Sequence, residues 1–274
     1  MPVVRIQSKR SLPVNPIGEL WASRDLILLL ARRDVRLRYQ HAVVGIGWAV
    51  LQPLLTAAVL TIFQQIIGRG EGSRAQYALN VLAGMVPWTF LAHAMTLGSN
   101  SLLSYYGVIC KVYFPRLVLP LAAVLVASTD LLVALPLIPA LMIYLGAGPG
   151  PGVLLLPGIV LLLVLLAAGL AIWLAILNIQ FRDVANALPF LTQLWFFLSP
   201  IAYNAELIPA DWRMAAGLNP MVGILEGFRW ALFGTAANPQ LGWWIGCSAA
   251  ISIALLASGV WVFLRNEETL ADLL

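Results

Sequence analysis

Residues 29–55 read LLARRDVRLRYQHAVVGIGWAVLQPLL. Arg32, Arg33, Arg36 and Arg38 fall within seven positions, opposed only by Asp34, and the chain then runs into a long apolar segment. Positive charge at the lip of a hydrophobic run marks the flank of a membrane crossing, because Lys and Arg resist translocation and fix that flank on the cytoplasmic side. Composition agrees. The 274 residues are 61% hydrophobic and 10% charged, with a mean hydropathy of +0.90. A soluble domain carries about 25% charged residues, so the sequence is that of an integral membrane protein.

Six segments approach the roughly 20 apolar residues that a spanning helix requires. They are Val43–Ile67, Ala78–Leu102, Leu117–Leu145, Val153–Ile179, Ala185–Tyr203 and Leu241–Leu264. An even count puts both termini on one side. With alternating loops, twelve Lys and Arg fall on the side of the termini and four on the other. That bias places both termini in the cytoplasm. The first 16 residues, MPVVRIQSKRSLPVNP, hold no apolar core, so no cleaved signal peptide is expected. The expected organisation is a cytoplasmic N-terminus over 1–42, a six-helix transmembrane domain over 43–264 and a cytoplasmic tail over 265–274.

Ahead of the first span, IGELWASRDLILLLARRDVRLRY (17–39) is too charged to cross. Ile17, Leu20, Trp21, Leu28, Ala31 and Val35 recur on one helical face, interrupted by Arg24. Pro16 suits a first helical turn. The pattern predicts an amphipathic helix lying in the membrane interface, its arginines near lipid phosphates.

No catalytic engine is legible. A phosphate-cradling P-loop needs Gly-Lys before Ser or Thr, and Lys9 and Lys111 follow Ser8 and Cys110. His41 and His93 have no metal-ligand spacing. Cys110 and Cys247 read as small buried thiols. The net charge of +4 is spread as membrane topology demands, so nucleic acid is not an expected partner. Asp130 lies mid-span, where an aspartate costs about 2.5–3.5 kcal/mol to insert. It faces protein or water, and two uses are open: a bond within its own helix pair, with Ser128 and Thr129, or a role in ion coupling.

The stretch LSPIAYNAELIPADWRMAAGLNPMVGILEGFRWALFGT (198–235) is too long for a tight loop and too charged for a span. Pro200, Pro209 and Asn219-Pro220 break it into short pieces, and Glu226 and Arg229 can pair at i, i+3. Non-helical backbone at membrane depth needs protein or a wet cavity around it. Short re-entrant helices between the fifth and sixth spans are therefore expected to close the mouth of a pathway. Trp88, Trp195, Phe196, Phe197, Tyr203, Trp212, Trp230, Trp243 and Trp244 crowd the span ends. They form an interfacial belt or line a path whose aromatic faces suit sugar rings.

Four stretches together carry a family resemblance: LARRDVRLRYQHAVVGIGWAVLQPLL (30–55), VPWTFLAHAMTLGSNSL with KVYFPRLVLP (86–102 and 111–120), NIQFRDVANALPFLTQLWFFLSPIAY (178–203), and the spaced LNP and EGFR of 218–229. In that order the chain resembles the membrane subunit of ABC-2 type exporters. It is most similar to the branch that exports lipid-linked polysaccharide such as O-antigen, capsule or teichoic acid. The resemblance implies an all-α membrane protein of six transmembrane helices, with an N-terminal amphipathic interface helix and short re-entrant gate helices between spans five and six. It implies a homodimer with two separate ABC ATPase subunits, which would bind ATP and magnesium, this chain holding no cofactor and no metal. The location implied is the bacterial cytoplasmic (inner) membrane.

Site residues follow from the same resemblance. Tyr105, Tyr106, Gly107, Lys111, Phe114, Pro115 and Arg116, with Arg182 and Asp183, would couple to the ATPase. Arg32, Arg33, Arg36 and Arg38 would meet the headgroup of an anionic lipid diphosphate. Trp88, Trp195, Phe197, Tyr203, Glu226 and Arg229 would form gate and path. Alternatives from other classes are an ABC-2 exporter of a drug or small lipid, an ion-coupled secondary carrier resting on Asp130, and a membrane-embedded enzyme, which would need clustered carboxylates or histidines.

Overall fold

The computed structural model describes residues 16–40, 44–67, 74–109, 111, 114–146, 148, 150, 152–181, 183–234 and 238–266. The expected cytoplasmic N-terminus before residue 16, the start of the first span at Val43, most of the 68–74 turn, Arg182 and the tail beyond 266 lie outside them.

Among the described residues the architecture is all helical. Two short-range helices come first: α1 (Pro16–Ala22) and α2 (Arg24–Tyr39). Then follow α3 (Trp48–Ile67), α4 (Arg74–Ser104), α5 (Tyr106–Ile109), α6 (Val118–Ala134) and α7 (Leu137–Tyr144). The rest are α8 (Leu156–Gln180), α9 (Asp183–Leu198), α10 (Ala210–Ala216), α11 (Pro220–Phe233) and α12 (Leu241–Arg265).

Among the described residues, five stretches are helices long and apolar enough to cross a membrane: Gly45–Ile66, Arg74–Ser104, Val118–Tyr144, Val153–Gln180 and Leu241–Arg265. The third remains one crossing, as the sequence reading drew it, with a local interruption. Pro136 removes a backbone donor, so α6 ends at Ala134 and α7 restarts at Leu137, while Leu135 and Pro136 keep helical backbone angles. The expected span Ala185–Tyr203 is shorter than read. Helix α9 has 16 residues and stops at Leu198, where the chain turns with Ile201 N–H bonding Ser199 O at 2.7 Å. At 1.5 Å per residue α9 is about 24 Å long, against a hydrocarbon core of about 30 Å.

Helix α4 is the axis of the bundle, packed on α3, α6 and α8, while α12 lies on α8 and α11. The α4–α8 contact depends on small residues, which let helices approach closely where lipid offers no hydrophobic drive. Ala167, Ala171 and Ala175 form a fully buried stripe on α8. Gly98 of α4 sits so close to Ala171 that an added Cβ would overlap it.

The interface helix departs from its expected form. It is two helices, parted at Ser23, rather than one. Its inner face is also rotated from the one read in the periodicity. Leu30 and Ala31 are buried, whereas Trp21 is 70% and Leu28 45% exposed. The cause is polar: α2 docks on α6 through Arg38 and on the end of α4 through Asp34, and these contacts set its roll.

Candidate access site and gate

Helix α4 runs between the two ends of the molecule. Its C-terminal end meets α2, where Tyr105 O–H donates to Asp34 Oδ2 at 2.5 Å. Its N-terminal half meets the region around α11, where Tyr77 O–H donates to Ala202 O at 2.9 Å and Arg229 Nε to Asn80 O at 3.3 Å. The candidate site residues divide between these ends.

At the α2 end, Asp34 and Arg38 are one helical turn apart and turn inward together. Arg33 reaches Asp34 Oδ1 through Nη2 at 3.1 Å, and its guanidinium lies 4.7 Å from the centre of the Tyr105 ring. Deeper in, Asp130 of α6 collects three donors from two other helices. Arg38 Nη1 lies 3.0 Å from Asp130 Oδ2, His93 Nδ1 of α4 lies 3.1 Å from the same oxygen, and Tyr39 O–H donates to Oδ1. A buried carboxylate without partners would be very costly, and this one is fully met. The expected local bonds to Ser128 and Thr129 do not form. Those hydroxyls donate to Val124 O and Val126 O of their own helix. Burial first, then the bond to Asp130, push the Tyr39 hydroxyl up to about 12. Burial and the bond to Asp34 raise Tyr105 as well.

A cavity of about 470 Å³ opens beside this cluster. Arg33, Asp34, Leu37 and Arg38 of α2 form one wall, His93, Thr96, Leu97, Asn100, Ser101 and Ser104 of α4 a second, and Tyr105, Leu119, Ala123 and Val126 the rest. The four arginines are thus split. Arg33 and Arg38 turn to the cavity and are paired with acids. Arg32 and Arg36 are exposed, and their side chains have no hydrogen-bond or ion-pair partner among the described residues.

The segment expected to couple to an ATPase projects just beyond. Tyr105 is its buried anchor, whereas Tyr106 is 48% exposed at the start of α5, which also holds Gly107. Lys111 is exposed, and Phe114, Pro115 and Arg116 are half-buried. Asp183 is exposed in the first turn of α9, where the helix dipole favours an acid. Nearby, Asn178 near the end of α8 donates through Nδ2 to Ser99 O at 2.9 Å and ties that end of α8 to α4.

At the other end, Arg229 is 3% exposed and holds a turn of the chain together. Besides Asn80 O, its Nη1 donates to Glu226 Oε1 at 2.8 Å and Tyr203 O at 3.2 Å, and its Nη2 to Ile201 O at 2.8 Å. Glu226 Oε1 also accepts from Ala205 N–H at 3.3 Å. Asn219 caps α11 through Met221 N–H at 3.1 Å, accepts from Trp195 Nε1 at 2.9 Å and donates to Ser199 Oγ at 3.1 Å. Trp88 meets Trp195 and Phe196 edge to face, at 5.9 and 5.7 Å between ring centres. Phe197 points outward, 65% exposed. The structure therefore joins Trp88 with Trp195, and Glu226 with Arg229 and the Tyr203 carbonyl, and places Phe197 at the exposed edge of the Trp88 cluster, its ring 5.3 Å from that of Phe196.

Sequence reasoning missed Tyr39, His93, Asp34 and Asn219. One signal was available, for His93. A lone acid in a span needs a partner, and His93 was the other ionisable group within a neighbouring span. Nothing in the spacing, however, points Asn219 at Trp195.

The helical bundle and, among the described residues, its five helices long and apolar enough to cross a membrane define a multi-pass membrane protein. The chain belongs to the ABC-2 type transporter family, whose model matches residues 25–233. It is similar to the O-antigen export system permease protein RfbA of Myxococcus xanthus, 27% identical over 94% of this chain and 99% of that protein. It is also similar to two proteins of that name from Klebsiella pneumoniae. One is 29% identical over 75% of this chain and 79% of the relative, the other 26% identical over 91% and 95%.

Proposed function

We propose that this chain is the membrane-spanning permease subunit of an ATP-driven exporter that carries lipid-linked polysaccharide of the O-antigen kind across the bacterial inner membrane. The observation that carries the reading is the near end-to-end match to a relative named as an O-antigen export permease. Family membership over residues 25–233 supports it.

In this reading two copies share a channel, and each engages one ATPase subunit, which supplies ATP, magnesium and hydrolysis. The chain itself is no enzyme. The exposed Tyr106, Gly107 and Lys111, with Arg182 and Asp183, take the push of the ATPase. Residues 43–264 make six crossings. Helix α9 is the short one: it starts next to α8's Asn178 end and finishes at Ser199 against Asn219, so it traverses the bundle from the α2 end to the α11 end. Both termini are then cytoplasmic, as the Lys and Arg bias requires. Helices α10 and α11 close the far mouth, pinned by Arg229. The exposed Arg32 and Arg36 draw the anionic lipid head to the α2 end, beside the cavity.

The test is complementation. A host deleted for both this gene and that of its ATPase should lose surface polysaccharide and regain it with the two chains together, but with neither alone. Pull-down of the tagged chain from native membranes should bring down a nucleotide-hydrolysing partner. Restored export without any ATPase would sink the reading.

A further inference from the structure

Arg38 belongs to two environments at once. Its Nη1 holds Asp130 at 3.0 Å, yet its side chain stays 32% exposed and forms part of the cavity wall. His93 has the same double position, bonding Asp130 at 3.1 Å and lining the cavity. Asp130 itself is 5% exposed and is not part of that wall. The carboxylate thus grips the cavity's cation from behind.

The wall is two-sided in character. Arg33, Arg38, His93 and Tyr105 supply polar groups, while Leu119 and Val126 supply an apolar slope. Such a surface suits a phosphate ester borne on an apolar chain. The cavity's charges nevertheless cancel: Arg33 is taken by Asp34 and Arg38 by Asp130. An incoming anion has to compete for a guanidinium. Arg38 is the one whose partner has more donors in hand: Asp130 also accepts from His93 and Tyr39, whereas Asp34 has Tyr105 besides Arg33.

We propose that Asp130 is an internal counter-ion that occupies Arg38 in the empty protein, and that a phosphate ester entering the cavity takes Arg38 over. The inference rests on the export reading and names the phosphate-bearing head as what the cavity receives. When Arg38 leaves, the carboxylate gives up its guanidinium partner but keeps the His93 and Tyr39 hydrogen bonds, and the new Arg38–phosphate pair offsets that loss. A guanidinium has five donors in a rigid fork and bonds phosphate in a bidentate fashion. The exchange also has a mechanical consequence. The Arg38–Asp130 pair ties α2 to α6, so arrival of the ligand loosens that tie, next to the Tyr105 anchor of the coupling segment.

The test uses the full chain in phosphatidylcholine nanodiscs, with Cys110→Ser and Cys247→Ser and a reporter Leu37→Cys on the cavity wall. The readout is protection of that thiol from a charged maleimide by farnesyl diphosphate. Protection is expected in the parent protein and is lost in Arg38→Gln but kept in Arg32→Gln. Asp130→Asn should lower the half-protecting concentration about tenfold, a usual size for coupling between two binding events. Tyr39→Phe, which lies outside the cavity wall, should raise it several-fold, because Asp130 then holds Arg38 harder. It also keeps the proposal testable if Asp130→Asn does not fold. Protection by inorganic diphosphate as well would support the exchange with the phosphate alone as ligand; protection by farnesyl diphosphate only would support it with the lipid-borne ester. Half-protecting concentrations unchanged in both variants overturn the proposal. If the parent chain still restores surface polysaccharide in that case, the exchange fails and the export reading stands; if it restores none, the export reading fails on its own.

Discussion

Arg229 bonds three backbone carbonyls and a carboxylate while almost fully buried. Its loss strands Glu226 and leaves Asn80, Ile201 and Tyr203 without that donor. Removing one partner of a buried pair costs about 3–5 kcal/mol, so Arg229→Met should sharply lower the thermal midpoint of the detergent-purified protein. Arg229→Lys should rescue little, since a lysine has three donors on a flexible stem and cannot span the same acceptors. Tyrosine titration offers a second check at this scale. Tyr39 holds its proton up to about 12 against an ordinary 10.0. A group whose pKa is raised by folding contributes its full stability below the unfolded value and loses it as pH climbs through the folded one. The Tyr39–Asp130 contact should therefore be intact at pH 9 and fail as pH rises from about 10 toward 12. Spectrophotometric titration should find late-ionising tyrosines, Tyr39 and Tyr105 among them, and their number should fall by one in Tyr39→Phe. Of these partners, His93 alone left a signal in the sequence. Asp130 stood out because a charge in an apolar run is a local anomaly, but its three donors come from residues up to 91 positions away.

Among the elements, the α4–α8 pair gives the clearest prediction. Gly98 lies against Ala171 with no room for a side chain. Overpacking typically costs about 1–3 kcal/mol, so Gly98→Val should lower the thermal midpoint markedly. Gly158→Ala, in a helix position with open space around it, should leave that midpoint unchanged or raise it. Span positions were well read because hydrophobic length is a local property. Their interruptions were read less well: Pro136 splits α6 from α7, and α9 stops at Leu198 rather than Tyr203. The roll of α2 was misread, since apolar periodicity gave Trp21 and Leu28 an inner face that the Asp34 and Arg38 contacts assign elsewhere.

For the whole molecule, the proposed coupling to a separate ATPase is the feature that the export reading turns on. The exposed Tyr106, beside the buried Tyr105 anchor, gives a test that does not disturb the core. A Tyr106→Cys chain should crosslink to its ATPase partner in native membranes, with a yield that changes when a non-hydrolysable nucleotide is added. Tyr106→Ala should leave the chain folded and lower export. An unchanged export rate together with no crosslink would remove α5 from the coupling role.

By itself, the sequence determined the class of molecule, the stations of its crossings, the bias of its charges and the family it resembles. Each of these is a sum over neighbouring residues, because transfer into lipid is paid residue by residue along a helix. The tertiary structure alone decided which arginines are free and which are held, which face of α2 looks inward, and that Asp130, His93 and Arg38 meet beside a cavity. Those outcomes depend on which helices pack and at what rotation, and a buried charge takes whichever partners that packing brings within 3 or so Å.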